Sequence, residues 1–132
     1  VGVAVLFIIG GVAFQSLLTF NRMAAEQRIF SNARYQAQQR IDLALTQNFD
    51  PDNGMVPAVL ELAPPDDPRV SAVDILLDEQ GAPVLDGTRT EVVTRETNPA
   101  GLDIRRVEVT IDYIFGGRAF SYAVSTMRAA DE

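Results

Sequence analysis

VGVAVLFIIGGVAFQSLLTF, residues Val1–Phe20, is the stretch whose reading decides the fold. It contains no charged residue, and only Gln15, Ser16 and Thr19 carry polar side chains. About 18 or more mostly apolar residues suffice to cross a bilayer as a helix. No turn signal follows, because residues 21–49 contain neither Pro nor Gly. The run therefore continues as one long helix, apolar and then amphipathic, of some 70 Å at about 1.5 Å per residue. A cleaved secretory signal is the competing reading. It needs a charged segment ahead of the apolar run and a small-residue cleavage site behind it. The run itself ends Thr19-Phe20-Asn21-Arg22 and shows neither, so a retained membrane helix is expected. Gly10-Gly11 inside it suits either close helix packing or a point of bending.

Residues 21–49 form the second half of this helix. Met23, Phe30, Ala33, Ala37, Ile41, Ala44, Leu45 and Phe49 recur at helical spacings and predict one apolar stripe. Arg22, Arg28, Arg34 and Arg40 recur every six residues. Six residues turn a helix through about 600°, so these arginines spiral around it instead of forming one basic face. Solvated or inter-subunit pairing is expected of them. Asp50-Pro51-Asp52-Asn53-Gly54 ends the helix, since Pro disfavours helix in the residue before it and Asn-Gly marks a turn.

The remaining chain divides in two. Residues 50–69 hold Pro57, Pro64, Pro65 and Pro68 among several acids, and read as a connecting loop with a short turn near Ala58–Leu62. Residues 70–132 read as an antiparallel sheet domain. Strands are expected at Val70–Leu77, at a short Pro83–Leu85 segment closed by Asp86-Gly87, and at Thr88–Thr97. The last hairpin joins Leu102–Phe115 to Arg118–Met127 through Gly116-Gly117, a loop suited to the primed turns. That loop sets Phe115 opposite Arg118, Tyr113 opposite Phe120, Ile111 opposite Tyr122 and Val109 opposite Val124. The apolar face so formed should dock on the helix, with Phe30, Ala37 and Ile41 meeting Val109, Ile111, Tyr113, Phe120, Tyr122 and Val124. The fold class is α+β, a long N-terminal helix packed on a small antiparallel sheet.

Composition limits the chemistry. Net charge is −7, which argues against specific nucleic-acid binding. The chain has no Cys and no His, hence no disulfide, no thiolate site, no Ser-His-Asp triad and no imidazole metal site. Asp50, Asp52 and Glu61 faintly echo a calcium loop, but Met55 stands where the required Gly would be, and a helix-ending turn is the preferred reading. No catalytic, cofactor or metal site is expected, and the protein is read as a non-enzyme.

VGVAVLFIIGGVAFQSLLTFNRMAAEQ resembles the N-terminal helix of the type IV pilin superfamily, which includes type IV pilins and type II secretion pseudopilins. VEVTIDYIFGGRAFSYAVSTMRAA resembles the terminal hairpin of its minor-pilin and I-type pseudopilin relatives. The resemblance implies a filament subunit whose helix is stored in the inner membrane, then extracted by pilus or secretion assembly machinery. It would pack with copies of itself in an extracellular filament. The filament-core residues it implies are Val5, Phe7, Ile8 and Ile9, the pair Gly10 and Gly11, then Phe14, Leu17 and Leu18. The family signature places a Glu at the fifth mature position, where this chain has Val5, and the first Glu here is Glu26. VGVAVLFIIGG aligns best with the segment after that Glu, so either residues precede Val1 or assembly proceeds without it, and no residue here inherits its role. Two alternatives share the sequence features: a pseudopilin of a type II secretion machine, and a single-pass membrane-anchored binding domain that does not polymerise.

Overall fold

The computed structural model describes residues 2–96 and 98–131. Val1, which opens the apolar run, Thr97, which closes the expected third strand, and Glu132 lie outside the described residues. The chain is α+β, with a long N-terminal helix packed on a four-stranded antiparallel sheet. Helix α1 spans Gly2–Thr46, and 3-10 turns follow at Pro51–Asn53 and Ala58–Leu60. Strands β1 (Arg69–Leu77), β2 (Pro83–Glu96), β3 (Ile104–Phe115) and β4 (Arg118–Ala129) pair in the order β1-β2-β3-β4. Two compact units divide the chain between Ser31 and Asn32, later than the change of polarity at Asn21, and α1 runs unbroken through that point.

The buried stripe of α1 is Ile29, Ala33, Ala37, Ile41 and Ala44. Its spacing of four and three residues keeps these positions within one face. The expected stripe was one position off at its start. Phe30 is 43% exposed while Ile29 is buried. One residue rotates a helix by about 100°, enough to carry Phe30 off the stripe that Ile29 begins. Met23 and Leu45 are exposed as well. The helix stops at Thr46, before the expected Phe49, and Pro51 then opens a tight 3-10 turn. Asp50 and Met55 exchange two backbone hydrogen bonds of 2.8 Å around it.

Asp86-Gly87 does not turn the chain. β2 is one strand of 14 residues through both. Gly87 lies opposite Val73 on one side and Tyr113 on the other. A Cβ there would sit 2.6 Å from Ile75 Cδ1 and 2.7 Å from the Asp112 carbonyl oxygen. The residue is Gly because neighbouring strands approach too closely for any side chain, the other meaning of Gly in a strand.

The β3–β4 hairpin has the expected register at all four pairs, from Phe115 opposite Arg118 to Val109 opposite Val124. Gly116 and Gly117 have φ of 59° and 76°, the two positive values a type I′ loop requires. The inner face carries Val107, Val109, Ile111 and Tyr113 of β3, all buried, with Val93 of β2 and Val73 and Ile75 of β1. On β4 the same face holds Phe120, Tyr122 and Val124, which are only half-buried, while Ser121 and Ser125 point outward and are exposed. The hairpin face was expected to be buried along both strands. Only the β3 side is: β3 lies between β2 and β4, while the edge strand β4 leaves Phe120, Tyr122 and Val124 partly open.

Candidate functional site

The apolar half of α1 is bare. Its most apolar 18-residue window is 0% buried, and α1 is long and apolar enough to cross a membrane by length and composition. Phe7 is 78% exposed, and Val5, Ile8, Ile9, Phe14, Leu17 and Leu18 are exposed with it. Gly10 and Gly11 are exposed too, and a Cβ at either would meet nothing within 4 Å. Small glycines between Phe7 and Phe14 leave a shallow apolar hollow, lined also by Val3 and Leu6. A second hollow is lined by Val12, Gln15, Ser16, Thr19, Phe20 and Met23.

The domain that α1 packs on is locked by charge. Glu91 on β2 is 3% exposed. Its carboxylate accepts two hydrogen bonds from Arg40 of α1, one of them 3.1 Å from Nη2. Arg89 Nε lies 3.1 Å and Arg69 Nε 3.4 Å from the same carboxylate. Arg69 also donates to the carbonyls of Ala58 and Val59, tying the connecting loop to the sheet. Burial draws the Arg89 guanidinium below its usual pKa, with Glu91 opposing and Arg40 and Arg69 adding to the effect. Arg40 is thus the exception among the spiralling arginines: it is only partly exposed and pairs with a buried acid inside the fold. Nothing in local spacing marks it, because its acid lies 51 residues away.

A second charged group sits where α1 ends. Arg105 of β3 is 4% exposed, grips Asp103 through Nε at 2.7 Å and Nη2 at 2.9 Å, and donates through Nη1 to the Leu60 carbonyl at 3.1 Å. Its guanidinium lies 5.4 Å from the centre of the buried Phe49 ring. Arg95 adds a bond of 2.9 Å to Asp103. The hydrogen bonds from Arg105 hold the Asp103 carboxyl below the usual range, helped by the charges of Arg105 and Arg95. Asp131 accepts from the Phe49 N–H at 2.8 Å and returns its own N–H to the Phe49 carbonyl at 2.7 Å. The Phe49 N–H, with Arg128 beside it, lowers the Asp131 carboxyl too.

The weak calcium reading fails on geometry. The Asp50 carboxylate accepts from the Asn53 N–H at 3.2 Å and from the Asn53 amide at 2.6 Å, capping the turn. Among the described residues no three His, Cys, Asp or Glu side chains gather to hold a metal ion. On the outer sheet face an open concavity brings Asp112 opposite Ser121, beside Thr88 and Asp86. The chain has no His to join a carboxylate to that hydroxyl. What the molecule offers is therefore an exposed apolar helix surface and, separately, a domain in which the buried Glu91 and Arg105 are paired. The chain matches no known family model, and no curated protein or solved structure matches it.

Proposed function

We propose that this chain is the structural subunit of a type IV pilus-like filament, a member of the type IV pilin superfamily that polymerises through α1. One observation carries the reading: the apolar half of α1 is wholly exposed, yet continues without a break into a helix that is built into a folded domain. A contiguous apolar surface of this size has to be covered by something other than water. Lipid covers it before assembly, and the helices of other copies cover it in the filament, so one uncharged surface serves both states. In this reading Val5, Phe7, Ile8, Ile9, Phe14, Leu17 and Leu18 pack in the filament core. The sheet domain becomes the filament surface, and the inner membrane holds the subunit before assembly machinery extracts it. The protein does no catalysis and needs no cofactor. The same observation serves a pseudopilin of a secretion machine, which differs in filament abundance, and a single-pass anchored domain, which stays monomeric in detergent. Electron microscopy of sheared surface material tests the proposal. Abundant thin filaments containing the chain support it. A chain found only in membranes, and monomeric when solubilised, overturns it.

A further inference from the structure

The uncharged segment of α1 has three polar side chains, and they share a face. Val12, Gln15, Ser16, Thr19 and Met23 recur at helical spacing and line one hollow. The Thr19 hydroxyl donates to the Gln15 carbonyl oxygen at 3.0 Å, so its own helix satisfies its proton and its oxygen is left able to accept. The Gln15 side-chain amide has no hydrogen-bond partner among the described residues. In water that costs nothing. In hydrocarbon or a dry helix core, an amide without a partner costs on the order of several kcal/mol. Lipid tails have no group to offer it. Another copy of the same face does: an amide that both donates and accepts, and two hydroxyls. Leaving Gln15 amid apolar residues is unfavourable for a helix that stays alone and favourable for one that pairs on this face.

Resting on the filament reading, we infer that Gln15, with Ser16 and Thr19, sets which face and register α1 uses against a second copy. The Gln15 amide hydrogen-bonds to the polar trio of its neighbour, as one polar residue fixes the register of a coiled coil. Apolar contacts supply the association, and these bonds choose among the rotations that an apolar surface would otherwise permit.

The chain has no cysteine, so the contact can be mapped directly. The full chain, in phosphatidylcholine–phosphatidylglycerol vesicles, would carry single cysteines from Val12 to Thr19 and be oxidised. Cross-linking strongest at Val12, Ser16 and Thr19, and weak at Phe14 and Leu17 on the opposite face, is expected. Gln15→Leu, of similar size and more apolar, should weaken self-association by roughly three- to fifteenfold, given the strength of hydrogen bonds between membrane helices. Gln15→Asn should recover part of the loss. Unchanged domain unfolding in both variants excludes a folding defect. Equal or tighter association of Gln15→Leu, or cross-linking centred on Phe14 and Leu17, overturns the inference and leaves the filament reading standing. In that case the Gln15 amide reaches the headgroup region instead. Absence of cross-links at every position overturns the inference as well, and leaves the filament reading to the microscopy of sheared material.

Discussion

The two halves of α1 behave in opposite ways. Residues 2–20 are the more apolar and bury nothing, whereas residues 32–46 carry Arg, Gln and Asn and supply much of the core. Their buried positions are mainly alanines, Ala33, Ala37 and Ala44, joined by Ile41. Alanine has little surface to hide, and its use lets the helix backbone come near the sheet. Asn32 then donates to the Ile75 carbonyl at 2.9 Å, and Arg40 reaches Glu91. Hydrophobicity alone therefore does not decide which part of a helix is buried. The inner half is shaped for a fixed partner within the chain. The outer half has bulk, Phe7, Ile8, Ile9 and Phe14, suited to surroundings outside it.

The comparison breaks most visibly at Ile9. Ile9→Arg places a charge in lipid or in a helix core, at a cost of several kcal/mol by either route. We expect filaments to be lost while thermal unfolding of the sheet domain stays unchanged. Normal filament yield would show that the outer half has no assembly role. In the inner region, Ile111→Ala should destabilise the domain by about 2–5 kcal/mol, the range for a buried Ile cut to Ala. Phe120→Ala, on the half-buried strand opposite, should cost clearly less despite its larger side chain, and chemical denaturation of both variants would rank them.

Glu91→Ala tests the charge lock. Breaking a buried ion pair costs several kcal/mol. Arg40, Arg69 and Arg89 each keep some contact with water, which reduces the effect to about 2–3 kcal/mol. Filaments, if they form, should keep their helix core, so a loss of domain stability together with altered cross-linking at Ser16 would contradict the division between the halves. Acid gives a weaker effect of stated sign. Asp103 and Asp131 have carboxyl groups lowered by folding. Their contribution is complete above the unfolded value of about 4 and is lost as pH falls through the lower folded values. An acid titration of stability should therefore decline below about pH 4, and Asp103→Asn should flatten the decline. The smallest change is Gly10→Ala with Gly11→Ala, which should stiffen the helix by roughly 1 kcal/mol per residue. Unchanged filament extensibility would leave the glycines a packing role alone.

Elements written in local pattern were legible. The uncharged run defined α1, and Gly116-Gly117 between alternating strands defined the hairpin and its register. The candidate surface was legible for the same reason, as one uninterrupted run. What depended on distant partners was not. Asp86-Gly87 looks like a turn until Ile75 and Tyr113 are placed beside it. Periodicity placed the stripe on Phe30, and only the packing distinguishes that position from Ile29. Glu91 and Arg105 look like ordinary strand charges, and their burial depends on Arg40 and Leu60, on other elements. A long apolar run, or a Gly-Gly pair between alternating strands, signals itself. A buried charge is identified only by its partners.

The hydrogen bonds between Phe49 and Asp131 join residues 82 positions apart in the chain. They close the domain into a loop without a covalent link, at the point where α1 gives way to the connecting segment. A subunit held by its helix and pulled at its outer surface would carry tension through this junction. The two bonds at Phe49, the ring beneath Arg105 and the pair Arg128–Asp131 would share that load, instead of passing it to the turn at Pro51. In a filament subunit of the kind proposed, Arg128 and Asp131 would then act as a mechanical fastener, and Asp131→Ala would let the domain peel from its helix under a force the unaltered subunit withstands.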